Sequence, residues 1–146
     1  MKCIQAIAAL GIAGSSILAA APIATADPVP PTVTCTYGLQ SGLATKVCAE
    51  ITGENVRLFG QVGLAGPPSP GSPLPQPKPL ILQLSGNVAG VSLGAVTQNA
   101  IFQSTTIQVS GVGGSVTCGS TIHGSFAVAS YQWPSNPVTI DLDIPC

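Results

Sequence analysis

The chain holds one histidine, His123, so any chemistry that needs a side-chain base near neutral pH has to use it. Ser120 and Ser125 flank it closely, and Asp141 and Asp143 follow further along. A Ser-His-Asp hydrolase would bring a serine, this imidazole and one of these carboxylates into hydrogen-bond reach. Neither serine stands in a Gly-x-Ser-x-Gly elbow, the turn that presents the nucleophile in one large class of such enzymes. A histidine between Ile122 and Gly124 on a strand is ordinarily a surface or half-buried residue. A small hydrolase using His123 is therefore the third-ranked reading.

Asp141 and Asp143 are two apart, so on a strand they share a face with side chains about 7 Å apart. Such a pair could hold calcium or act as two carboxylates in glycoside hydrolysis. Calcium wants more oxygen ligands than two, and a glycosidase pair normally faces across a cleft from separate strands. The simpler reading is the solvent face of an edge strand, guarded by charge. Glu50 and Glu54 flank Gly53 and read as exposed turn residues. Gly111-Val112-Gly113-Gly114 leads into no helix and no Lys-Ser/Thr, so it is not a phosphate loop. The expectation is no catalytic residue, no cofactor and no metal.

The cysteines carry the clearest chemistry. There are five, and Cys3 lies in a leader sequence considered below. Cys35, Cys48, Cys118 and Cys146 remain, with no Cys-x-x-Cys for the single histidine to complete as a metal site. An even number in an exported chain implies two disulfides. Of three pairings, Cys35–Cys48 with Cys118–Cys146 is expected, because each joins neighbouring stretches of chain.

Binding residues are few. Tyr131 and the only tryptophan, Trp133, are expected on one strand face running into a proline-bounded loop, Trp133 to Pro137. There they could stack on a sugar ring or anchor a protein partner, or Trp133 could instead cap the core. Leu74 sits in the second candidate contact, a proline-rich segment over 66–79. Beyond the leader the charged residues are Lys46, Arg57 and Lys78 against Asp27, Glu50, Glu54, Asp141 and Asp143. Three scattered basic side chains cannot neutralise a phosphate backbone or hold an anionic membrane surface, which argues against nucleic acid and lipid headgroups as partners.

The segments that must position these residues read as follows. Met1 to Ala26 has the three parts of a cleavable signal peptide: Lys2, an apolar stretch from Ile4 to Ala21, and a small-x-small site at Ala24-Thr25-Ala26. It is bacterial in style. The stretch is rich in Ala and Gly and no basic cluster follows it, so a membrane anchor is the lesser reading. The working chain is expected to be 27–146, a single β domain exported to the extracellular space or the cell wall, with no span left after cleavage.

Within that chain Val, Ile, Leu and Thr are plentiful and strong helix formers with charged tips are scarce, which favours strands. Strands are expected at Thr32–Tyr37, Thr45–Thr52, Val56–Leu64, Leu80–Leu84, Val88–Val96, Phe102–Val112, Ser115–Cys118, Thr121–Tyr131 and Val138–Ile144. Turns are expected at Gly53-Glu54-Asn55, Ser85-Gly86-Asn87 and Gly111–Gly114. Gly66 to Pro79 carries seven prolines and is expected as a loop with polyproline II character. About eight strands with regular turns predict an antiparallel β-sandwich, with an immunoglobulin-like order or a small barrel as variants. Trp133 lies between the third and fourth cysteines, so the Cys…Trp…Cys order of immunoglobulin domains is missing.

Scarce titratable groups on a disulfide-closed scaffold point to a non-catalytic exported domain acting by surface contact on a protein or glycan. A secreted hydrolase inhibitor presenting loop 66–79 is the second reading.

Overall fold

The computed structural model describes residues 27–146, so the expected signal peptide, Met1–Ala26, lies outside the described residues. Eight strands run in order: β1 (Thr32–Gln40), β2 (Leu43–Thr52), β3 (Asn55–Leu64), β4 (Lys78–Val88), β5 (Val91–Phe102), β6 (Ile107–Ser115), β7 (Thr121–Ala129) and β8 (Val138–Asp143). Two-residue turns close three hairpins. Ser41-Gly42 and Ala89-Gly90 have positive φ at both positions (49° and 78°; 48° and 81°). That mirror-image turn matches the right-handed twist of the strands it joins. Gly53-Glu54 closes the third, between β2 and β3.

The strands form two antiparallel four-stranded sheets, ordered β1-β2-β3-β6 and β5-β4-β7-β8. This is the expected sandwich and not a closed barrel. The order is also not that of an immunoglobulin domain, whose third strand crosses to the opposite sheet. Here β1, β2 and β3 stay together, and the first crossing is the proline-rich segment between β3 and β4.

Alternation fills the space between the sheets. Val47, Leu58 and Val62 face inward from one sheet, and Leu80, Leu82, Leu84, Ile122, Phe126 and Val128 from the other, all essentially buried. Each such side chain contributes roughly 1.5–3 kcal/mol by leaving water. The sheets also meet through missing side chains. A Cβ on Gly60 would overlap the Phe126 ring, 2.1 Å from its nearest carbon, and one on Gly86 would fall 2.2 Å from Leu58 Cδ1. Large residues of each sheet thus rest on bare backbone of the other.

Several expected boundaries move. Ser85-Gly86-Asn87 is not a turn but the interior of β4; its glycine makes room for Leu58, and the chain reverses at Ala89-Gly90. The expected strand Phe102–Val112 is broken at Gln103–Thr106, where the chain changes sheets. Gly111–Gly114 lies inside β6. There the register with β3 skips Gly111 (φ 114°), a bulge that lets both Val109 and Val112 face the core. Ser115–Cys118 is no separate strand, and β7 ends at Ala129 rather than Tyr131. Pro79, assigned to the loop, belongs to β4. It stands before the β4–β7 pairing begins at Ile81, where β4 has only β5 as a neighbour. A strand tolerates proline at such a one-sided position.

Candidate functional site

Both expected disulfides are formed. Cys35 and Cys48 are direct cross-strand partners on β1 and β2, with Cα atoms 4.1 Å apart. Cys118, in the β6–β7 connection, bonds Cys146 beyond β8, with Cα atoms 4.7 Å apart. The same end is laced by backbone hydrogen bonds from Gly119 N to Ile144 O and from Ile144 N to Ser120 O, each 2.9 Å.

The titratable candidates meet on the outer face of the second sheet. His123 and Asp141 are register partners across β7 and β8, and His123 Nδ1 donates to Asp141 Oδ1. Asp143 is engaged separately, accepting a 2.7 Å bond from Thr121 Oγ1. The two carboxylates are thus each occupied by a β7 side chain, on a six-residue edge strand. Ser85, Asn87, Ser125 and Thr139 surround the His–Asp pair in an open depression of about 540 Å³. Half of a triad is therefore assembled: a base and its orienter. Among the described residues no serine hydroxyl is hydrogen-bonded to the other ring nitrogen. Ser120, the other expected neighbour, is buried and gives its hydroxyl to Thr117 O at 2.5 Å.

The aromatic pair does not share a strand face. Ser130 and Trp133 exchange two backbone hydrogen bonds, 3.1 and 3.2 Å, closing a four-residue turn with Tyr131 at its tip. Tyr131 is 86% exposed, whereas Trp133 is partly buried and packs against the core. Beside Tyr131, on the outer face, lie Pro79, Ile81, Asn99 and Ile101. Pro79 pairs with Ile101 and Ile81 with Asn99 across β4 and β5, so these four form two adjacent rows. Ile101 is 64% exposed. An aromatic ring is thereby held in water by a hydrogen-bonded turn, next to aliphatic side chains of the sheet.

Gln40, which sequence reasoning passed over, fixes this loop. It is buried at the end of β1; its Nε2 donates to Pro134 O at 2.5 Å and its Oε1 accepts from Asn136 N at 3.1 Å. Removing the amide takes two hydrogen bonds from the loop and leaves Pro134 O and Asn136 N–H without their protein partner. Gln40→Leu is expected to cost about 2 kcal/mol in urea unfolding and to shift Trp133 emission to the red as the loop loosens. Unchanged emission and stability would show the clamp to be idle.

The second contact candidate is the crossing segment, 65–77. Ser69-Pro70-Gly71-Ser72 forms a turn, with Ser72 N bonded to Ser69 O at 3.0 Å and Gly71 at φ 79°, the proline–glycine arrangement of a type II turn. Leu74 projects beyond it, 85% exposed. The structure thus brings Tyr131 together with Ile81 and Ile101, and His123 together with Asp141. It leaves Leu74 projecting among the prolines of the crossing segment and turns Trp133 inward. No family model, curated protein or solved structure matches this chain.

Proposed function

We propose that this chain is an exported, non-catalytic β domain that acts by surface contact, and that its contact site is the Tyr131 turn with Ile101, Ile81 and Pro79. The observation that carries the reading is the exposed ring of Tyr131, held on a hydrogen-bonded turn beside an exposed isoleucine. Aromatic anchors in rigid settings dominate interface energies and lose little entropy on binding. The neighbours are mainly aliphatic, which favours apolar side chains of a protein over a sugar, whose hydroxyls call for more planar polar groups. Two disulfides fit an oxidising compartment, and no helix of the described residues is long and apolar enough to cross a membrane. Secretion, with retention at the cell wall as one form of it, is the localisation that goes with this reading.

Tyr131→Ala is expected to weaken a captured partner by more than about 1 kcal/mol, with the melting temperature unchanged because the ring is in water. Affinities and thermal melts of the two proteins check this; equal affinities remove the site. Deleting Ser69–Gln76 separates the inhibitor reading, since only that reading needs the loop for binding.

The assembled His123–Asp141 pair favours one second reading, an ester or amide hydrolase that recruits Ser85 or Ser125 when substrate binds. On activated esters the contact reading expects no turnover above a His123→Ala control. Turnover that disappears in that variant, with stability kept, would establish the hydrolase.

A further inference from the structure

A two-sheet sandwich has four edge strands, here β1 and β6 in one sheet, β5 and β8 in the other. Three of them carry recognisable guards against pairing with another chain. β8 is six residues long and bears Asp141 and Asp143. β6 is bulged at Gly111, and β5 skips Leu93 in its register with β4, next to Gly94 at φ 114°. β1 has no guard. Its nine residues, TVTCTYGLQ, include no charge and no proline, and its register with β2 is unbroken from Thr32 to Gln40. The disulfide to Cys48 fixes it in place.

Among the described residues nothing pairs with this edge. The short Cα separation of Cys35 and Cys48, 4.1 Å, is that of a non-hydrogen-bonded antiparallel pair. The N–H and C=O of Cys35 therefore point away from β2, and by alternation so do those of Val33, Tyr37 and Leu39. The side chains of Val33, Tyr37 and Leu39 stand on the outer face of the same edge, 50%, 71% and 71% exposed.

We propose that β1 pairs antiparallel with β1 of a second copy of this chain, about a two-fold axis through Cys35, joining two four-stranded sheets into one of eight. Charge placement favours this occupant, and between axes through Cys35 and through Tyr37 it selects the first. Val33 stands opposite Glu50 on β2, and Tyr37 opposite Lys46, whose ammonium lies over the Tyr37 ring at 5.9 Å. Centring the axis on Cys35 puts Val33 beside Tyr37 of the second copy. Each cross-strand row then runs from Glu50 of one copy to Lys46 of the other, twice by symmetry. Centring it on Tyr37 would instead set Lys46 against Lys46. The pairing does not use the Tyr131 surface, which lies beside the outer face of β4 and β5.

Sedimentation equilibrium of the chain from Asp27 to Cys146, which contains every strand, tests this. The expected result is a monomer–dimer equilibrium, with hydrogen exchange at Val33, Cys35, Tyr37 and Leu39 slowing as concentration rises. Val33→Lys with Tyr37→Lys places like charges opposite each other and should raise the dissociation constant by more than about tenfold. Val33→Lys with Tyr37→Glu places opposite charges there and should restore the dimer. Val91→Lys, at the exposed start of β5, should change nothing. A wild-type monomer at all concentrations overturns the proposal and leaves the edge to an extended segment of another protein. A dimer insensitive to the two-lysine variant, or one dissociated equally by Val91→Lys, overturns it as well.

Discussion

Gly60→Ala is expected to lower the free energy of unfolding by about 3 kcal/mol, the upper end of what overpacking costs. The reason is local to one contact. Phe126 is fully buried, and its ring lies directly on the Gly60 backbone, so an added methyl overlaps three ring carbons at 2.1–2.5 Å. A planar ring cannot bend away as a chain end can. Gly86→Ala meets the tip of Leu58 instead, which a rotamer change can move, so its cost should be smaller. Phe126→Leu should be destabilising alone yet recover part of the Gly60→Ala loss, giving a coupling of the kind that adjacent residues show. Urea unfolding of the four proteins in that cycle measures it. A cost for Gly60→Ala under about 0.5 kcal/mol would mean the sheets can part freely, against native packing density.

The second large effect is expected from the Cys118–Cys146 bond. Its 28-residue separation gives about 3.5 kcal/mol by loop entropy, against about 3 kcal/mol for the 13-residue separation of Cys35–Cys48. The structure widens that gap. β1 and β2 are already joined by a tight hairpin and nine paired positions, whereas β8 is short and paired only to β7. Cys118→Ala with Cys146→Ala should therefore destabilise more than Cys35→Ala with Cys48→Ala. Its earliest symptom should be exchange of the β8 amides at Ile140 and Leu142. The reverse order in thermal and chemical unfolding would contradict the assignment of β8 as the loosest edge.

Much of this was legible from local pattern. Alternation at Leu80, Leu82 and Leu84, and at Ile122, Phe126 and Val128, marks core-facing strands wherever it occurs, because a pleated strand has a period of two. The cysteine pairing followed from neighbouring stretches of chain. What misled was glycine. Gly86 and Gly111 look like turn residues, yet one admits Leu58 from the opposite sheet and the other forms a bulge. Both causes lie in strands distant along the chain, which local composition does not encode. The same holds for the site. Tyr131 and Trp133 were recognisable as the aromatic pair, but a two-residue spacing suggests one face only if the strand continues. Here the chain turns, sending one ring to water and one to the core. Gln40 was invisible because its partners are Pro134 and Asn136, brought near only by packing. Asp141 reads as an edge guard and stands on an edge strand; its partnership with His123 needs the β7–β8 register.

The contact reading differs from its rivals in where a partner touches the chain, and amide chemical-shift mapping shows that directly. A partner captured from secreted or cell-wall protein would be titrated into the labelled chain from Asp27 to Cys146. The predicted result is that the largest shifts cluster at Ser130–Gln132, Asn99–Ile101 and Leu80–Ile81, and that Tyr131→Ala abolishes them. Shifts centred on Ser69–Leu74, or on His123 and Asp141 with the Tyr131 turn unmoved, would contradict it.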